Sequence, residues 1–206
     1  MTPAFRVGVL ASGVGTNLQA ILDRVHGRDG VEVVAVGSDL AGAQALERAR
    51  RAGVPARAFP EEAFAGRAAR DAAMAAWLED AGVELVVLAG YMRLLAPAFL
   101  AAFPDRVINV HPALLPAFPG VRAIEQALAY GVKVIGVTVH FVEDEMDSGA
   151  IISQRAIELP GTADPVAVRA ALRPLEHDLL CGAVALIARG GVRIDPANPR
   201  RVLVAG

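Results

Sequence analysis

An amide and an imidazole stand two residues apart in the run Asn109-Val110-His111-Pro112. Alternate residues of a strand share a face, so Asn109 and His111 point together while Ile108 and Val110 point the other way. An amide N–H beside an imidazole able to carry a proton suits the stabilisation of a developing oxyanion. A polar pair satisfied by nearby loop backbone is the plain alternative. Further along, Glu143, Asp144, Glu145 and Asp147 form an acidic run before Gly149. A solvated turn accounts for such a run, and one of its carboxylates could also orient and charge His111. The spacing fits neither HExxH nor an EF-hand loop, so no metal site is expected.

The stretch Ser12-Gly13-Val14-Gly15-Thr16-Asn17 follows an apolar run and opens a helical one. Bare N–H groups at a helix N-terminus, approached through glycine, make an anion site. A dinucleotide fingerprint would carry a third glycine where this chain has Leu18, and a P-loop would carry a lysine that is absent. What remains fits one phosphate group, with Thr16 or Asn17 as added donors, or else a purely structural tight turn. Of the other histidines, His26 reads as an exposed helix-end residue. His140 in a strand and His177 in a helix read as core histidines bonded to backbone.

These groups need a frame, and the composition bounds it. The chain has 206 residues, 54% of them apolar, and one domain is expected (1–206). No apolar run is long enough for a membrane span, and Val7–Ala11 is too short for a signal-peptide core, so a cytoplasmic location is expected. Cys181 is alone and reads as a buried, inert thiol. Twenty basic against 22 acidic residues leave a charge of −2. Lys133 is the only lysine, and the arginines are dispersed, Arg48, Arg50 and Arg51 being the densest group. This pattern speaks against nucleic-acid and membrane partners and leaves small anionic molecules. Monomer and homodimer both stay open.

Strand-like runs alternate with helical periods, which predicts an α/β fold: an open, mostly parallel sheet flanked by helices, with an antiparallel portion towards the C-terminal half. Strands are expected at Arg6–Ala11, Val31–Val36, Glu84–Ala89 and Arg106–Val110. Helices are expected at Thr16–Val25, at Gln44–Ala52, and along a stripe of Ala69, Ala72, Ala73, Ala76 and Trp77. After a proline loop (Pro112, Pro116, Pro119, Gly120), a short helix is expected around Arg122–Tyr130. Val134–Val142 and Ala150–Ile157, joined by the acidic turn, suit a hairpin. A last helix is striped by Leu175, Leu179, Gly182, Ala183 and Leu186, with Pro174 kinking or starting it.

Four segments together resemble the phosphoribosylglycinamide formyltransferase family. They are Ala11-Ser12-Gly13-Val14-Gly15-Thr16-Asn17-Leu18-Gln19-Ala20, Ala89-Gly90-Tyr91-Met92-Arg93-Leu94-Leu95, Asn109-Val110-His111-Pro112-Ala113-Leu114-Leu115-Pro116 and His140-Phe141-Val142-Glu143-Asp144-Glu145-Met146-Asp147-Ser148-Gly149. They lie in family order from about residue 6 to residue 190. The resemblance implies formyl transfer from 10-formyltetrahydrofolate, as co-substrate, to the amine of glycinamide ribonucleotide in purine synthesis, without a metal. It implies a catalytic trio of Asn109, His111 and Asp147. Gly15, Thr16 and Asn17 would contact the nucleotide phosphate and Glu176 the ribose, with Arg173 adding a cation near the phosphate. Arg67, Met92, Arg93, Leu94, Leu95, Asn109 and the acidic turn (Glu143, Asp144, Asp147) would hold the folate. On this reading the N-terminal half binds phosphate, and the C-terminal half is catalytic and folate-binding. One departure is Ala117 in Pro116-Ala117-Phe118-Pro119-Gly120, where many members carry lysine.

Rival readings share parts of this pattern. A methionyl-tRNA formyltransferase would carry a further RNA-binding domain, and a formyltetrahydrofolate hydrolase an N-terminal regulatory one. A nicotinamide-dependent oxidoreductase would use the glycine loop, with Asp39 on the ribose. A non-catalytic nucleotide sensor would leave the pairing of Asn109 with His111 unexplained.

Overall fold

The computed structural model describes residues 3–159 and 164–205. The fold is α/β, a mixed sheet of mostly parallel strands flanked by helices, with antiparallel strands towards the C-terminus. Contacts divide the chain into two compact units, Met1–Asn109 and Val110–Gly206.

The first unit is a parallel sheet in the order β3-β2-β1-β4-β5. Its strands are β1 (Phe5–Leu10), β2 (Val31–Ser38), β3 (Ala56–Ala58), β4 (Leu85–Leu88) and β5 (Val107–His111), the last running across the division between the units. The β-branched runs are buried, as central parallel strands require: Val7, Val9, Val33, Val36, Val86 and Val87 are at most 3% exposed. Its helices are α1 (Thr16–Arg24), α2 (Gln44–Arg51), α3 (Arg67–Asp80) and α4 (Pro97–Ala102). In α1 the apolar period works as expected, with Leu18, Ile21 and Leu22 buried.

In α3 the expected stripe is corrected. The buried face is Arg70, Asp71, Met74, Ala75 and Leu78, whereas Ala69, Ala72 and Ala76 are exposed, and Ala73 and Trp77 are half-buried. Arg70 and Asp71 enter the core as an ion pair, Nη2 to Oδ1 at 2.8 Å, which moves the helix's inner face away from the alanines. Mutual pairing is what makes two buried charges tolerable.

The second unit contains β6 (Val134–Phe141), β7 (Ile151–Glu158), β8 (Val192–Asp195) and β9 (Asn198–Val204), in the order β6-β7-β9-β8. β6 and β7 form the expected antiparallel hairpin, with Val139 opposite Ser153 and His140 opposite Ile151. The antiparallel pair β8–β9 was not anticipated from sequence. Its turn is set by Asp195, whose Oδ1 accepts from Ala197 N at 2.9 Å and whose Oδ2 pairs with Arg201. Two helices complete the unit, α5 (Ala123–Tyr130) and α6 (Pro165–Ala188). Pro174 does not start α6 but lies inside it. The start is Asp164, which caps Val166 N at 3.0 Å and Ala167 N at 3.2 Å, followed by Pro165 in the first turn. The core stripe of α6 runs through Val168, Leu172, Leu179, Leu180, Ala183 and Val184, while Gly182 is exposed. Cys181 is buried and free. No described helix is long and apolar enough to cross a membrane.

Candidate active site

In the first unit, strand order reverses between β1 and β4, and the segments that follow their C-terminal ends carry the candidate binding residues. Open α/β sheets bind ligands at such a reversal. The glycine loop leaves β1 and enters α1 at Gly15, which has φ +75° and gives the helix no side-chain cap. A helix N-terminus without a side-chain cap is a place where backbone N–H groups can meet an anion. Gly15 is required twice over, because a Cβ there would lie 2.8 Å from Ala45 Cβ as well as adopting a left-handed backbone. Around Gly13 there is open space. Arg48 of α2 secures the loop from behind, its Nε donating to Val14 O at 2.8 Å. Asn17 is buried in α1, and Thr16 is half-buried at its first turn.

Residues 89–96 form no regular element, yet buried polar groups pin them at three points. Met92 N donates to Ser12 Oγ at 2.8 Å, Arg93 Nε to Asp39 Oδ2 at 2.9 Å and Ala96 N to Asp71 Oδ2 at 2.7 Å. Ser12 N also donates to Gly90 O, so Ser12 ties the glycine loop to this segment twice. Asp39 thus has one oxygen on Arg93, while its other oxygen is buried without a hydrogen-bond partner among the described residues. Met92 and Leu94 are 72% and 50% exposed, whereas Leu88 and Tyr91 are core residues. Val14 and Leu40 are likewise exposed on the loops after β1 and β2. Together these are apolar side chains left in solvent at the strand ends, where a flat apolar ligand would cover them.

The second unit holds the titratable cluster. His111 ends β5, two positions after the half-buried Asn109, and is 5% exposed. Its Nε2 lies 2.8 Å from Phe118 O in the proline loop, and its Nδ1 lies 3.4 Å from Asp147 Oδ2. His140, on β6, is 1% exposed. Its Nδ1 lies 2.7 Å from Phe141 O, and its Nε2 lies 3.5 Å from Asp147 Oδ1. Asp147 Oδ2 also accepts from Gly120 N at 2.7 Å. The aspartate sits at φ +53°, a left-handed conformation that Asp tolerates better than most residues. Burial pulls the Asp147 pKa up, but the His140 hydrogen bond, the Gly120 N–H and the charges of His111 and His140 outweigh it. The net shift is downward from 3.8, and the group stays a carboxylate. Beside it, Leu115, Pro116, Pro119, Met146, Asp147 and Arg200 line a cavity of about 350 Å³.

The remaining expected residues fall in several places. Glu143 and Asp144 are exposed on the turn, on the side of the sequence that Asp147 leaves for the cluster. Arg67 is exposed at the first turn of α3, and α6 carries an exposed Arg173 and a half-buried Glu176. His140 is the residue that sequence reasoning underrated. It is buried and bonded to backbone, as expected of a core histidine, but its other nitrogen faces Asp147. Its place next to the acidic turn, at the end of a strand, was the available signal. Arg70 and Asp71 left none, because adjacent charges on a helix read as a solvated face.

Residues 5–184 match the family model described as formyl transferase. The trifunctional purine biosynthetic protein adenosine-3 of Gallus gallus is 38% identical over 96% of the chain, which spans only 20% of that protein. The phosphoribosylglycinamide formyltransferase of Mycobacterium tuberculosis is 42% identical, over 92% of this chain and 87% of its own. Glycinamide ribonucleotide transformylase 1 from Symbiobacterium toebii superposes with a TM-score of 0.95 at 47% identity, covering 100% of this chain and 96% of that one. With a family match that spans the glycine loop, the 89–95 segment, both histidines and Asp147, the chain belongs to the formyl transferase family.

Proposed function

We infer that this chain transfers a formyl group from 10-formyltetrahydrofolate to the amine of N1-(5-phosphoribosyl)glycinamide, a step of purine synthesis. The observation that carries this reading is the end-to-end match with single-activity relatives named for that reaction. The amine nitrogen attacks the formyl carbon, forming the new C–N bond and a tetrahedral oxyanion. Protonated His111 and the Asn109 amide stabilise that oxyanion, and Asp147 keeps His111 charged. The C–N bond to the folate then breaks, its nitrogen gains a proton, and the attacking amine loses one to Asp147 through water. Holding both substrates together supplies proximity, which can exceed every other contribution.

Binding follows the same division. The uncapped N-terminus of α1 with Gly15, Thr16 and Asn17 takes the phosphate, with Arg173 and Glu176 serving the phosphate and ribose. Arg67, the 92–95 segment and the acidic turn take the folate, whose ring system the exposed Met92 and Leu94 suit. Arg93 brings less free charge than its type suggests, because Asp39 and Glu61 already face it at 2.9 and 3.3 Å. An absorbance assay of folate deformylation, with and without the ribonucleotide, tests the reading. Product should form only with the amine present. Equal product without it makes the protein a hydrolase.

A further inference from the structure

The proline loop that leaves His111 forms no regular element, yet it brings two backbone groups to the candidate catalytic pair. Phe118 O lies 2.8 Å from His111 Nε2, and Gly120 N donates to Asp147 Oδ2 at 2.7 Å. Where those groups lie depends on what holds the first half of the loop. Thr138 carries the one hydroxyl of β6, is 0% exposed and stands opposite Gln154 of β7. A hydroxyl offers one hydrogen and two lone pairs, and Thr138 uses all three. It donates to Ala113 O at 2.7 Å and accepts from Leu115 N at 3.1 Å and from Gln154 Nε2 at 2.9 Å. Gln154 Nε2 also donates to Leu115 O at 2.9 Å. A carbonyl oxygen only accepts, so this contact fixes which end of the Gln154 amide meets the loop. Between the pinned residues, Leu114 rests on Gly136 of β6, where a Cβ would come within 2.6 Å of Leu114 Cδ2.

We propose that Gln154 is a positioning residue: with Thr138 it pins residues 113–115 to the β6–β7 hairpin, and so sets where the loop offers Phe118 O to His111 and Gly120 N to Asp147. This rests on the assignment of His111 and Asp147 to the reaction. The Gln154 amide nitrogen bonds the loop and β6, so its effect on the pair is carried through backbone. Removing that donor takes a partner from Leu115 O and from the Thr138 hydroxyl together. Such a loss loosens a polar network by more than one contact, because its members orient one another. A reacting group misplaced by about 1 Å can lose about a hundredfold in rate, so a remote pin of this kind shows in turnover.

Two measurements on the whole protein test the proposal. Gln154 lies at the surface of the sheet, and Gln154→Met keeps its length while removing the donor. This variant should lower kcat by roughly tenfold, with KM for each substrate held within a few-fold. A kcat close to wild type, or a loss that falls on KM instead, overturns the proposal. Gln154→Glu has the same shape but accepts where Gln154 donates, so it should lose at least as much. Near-wild-type turnover in that variant also overturns the proposal. In ¹⁵N-histidine spectra, the signal of His111 Nε2 should shift in Gln154→Met. The signal of His26, whose Nδ1 accepts from Val33 N, should stay in place as the control. An unmoved His111 signal in the folded variant overturns the proposal even where kcat falls, because the loss then does not run through the loop. Loss of the wider reading looks different: full activity in Asp147→Asn or His111→Ala removes the reaction from this cluster altogether.

Discussion

Gly13 and Gly15 stand two residues apart in one loop and answer to different constraints. Gly15 is held by its own fold, because φ +75° and the 2.8 Å approach to Ala45 leave no place for a side chain. Among the described residues, none lies within 4 Å of a Cβ placed on Gly13. If the loop takes a phosphate against its backbone, Gly13→Ala should keep the melting temperature and weaken nucleotide binding, while Gly15→Ala should lose stability by about 1 kcal/mol or more. Calorimetry with each ligand separates the two, and unchanged nucleotide affinity in Gly13→Ala would count against phosphate at that point of the loop. Asp147 offers a prediction with a definite sign. Its folded pKa lies below 3.8, so its ionised form stabilises the fold fully above that value. The stability is lost only as pH falls through the lower, folded value. The gap between wild type and Asp147→Asn in urea melts should thus persist from about pH 6 to about pH 5 and close below the ordinary carboxylate range. A gap that closes already at about pH 5 would mean a raised pKa and a different role. At this scale the pairing of Asn109 with His111 is legible in sequence because strand alternation and Pro112 are local signals; the acidic turn offers a carboxylate, but that it is Asp147 is only what the family resemblance implies. The pairing of His140 with Asp147 is not legible, since it depends on the hairpin folding its end back onto the turn.

Among the elements, the segment from Gly90 to Ala96 shows how an irregular stretch is given a shape. Ser12, Asp39 and Asp71, each 6% exposed or less, reach it from the ends of β1 and β2 and from α3. Asp71 bears the most: it balances buried Arg70 and accepts the Ala96 N–H. Removing its charge strands Arg70, so Asp71→Ala should cost roughly 3–5 kcal/mol. Asp71→Asn keeps a weaker acceptor for Ala96 and should cost less, yet still loosen residues 91–96 in hydrogen exchange and weaken folate-analogue binding. Unchanged exchange there would show that the segment holds its shape without Asp71. The sequence reading of elements is good where apolar periodicity is strong, as in β2, α1 and the β6–β7 hairpin. It fails in α3 for a definite reason. Counting Arg70 and Asp71 as solvent-facing rotates the inferred inner face onto the alanines. It fails again at β8–β9, where exposed Arg193, Arg200 and Arg201 dilute the strand pattern and the turn depends on Asp195.

For the whole molecule, a net charge of −2 with dispersed arginines offers no long-range field to collect polyanions. On the proposed reading, recognition of an anionic nucleotide is then local, through the N-terminus of α1 and the few groups around it, and recognition of a folate rests mainly on covered apolar surface. Both are binding to the native state, so both should stabilise it by mass action. A ligand at about a hundred times its Kd adds about 2.7 kcal/mol. In a chain of this size each kcal/mol raises the melting temperature by roughly 2–4 °C, so a folate analogue alone should raise it by about 5–10 °C. The nucleotide alone should do the same at the same multiple of its own Kd. The two shifts answer to different residues: Gly13→Ala should shrink only the nucleotide's, and Asp71→Asn only the folate's. Because melting reports on the fold and not on turnover, it also works with His111→Ala, where both shifts should survive in full. A thermal scan with no shift at saturating folate analogue removes the folate from the proposed reaction, whatever the glycine loop binds.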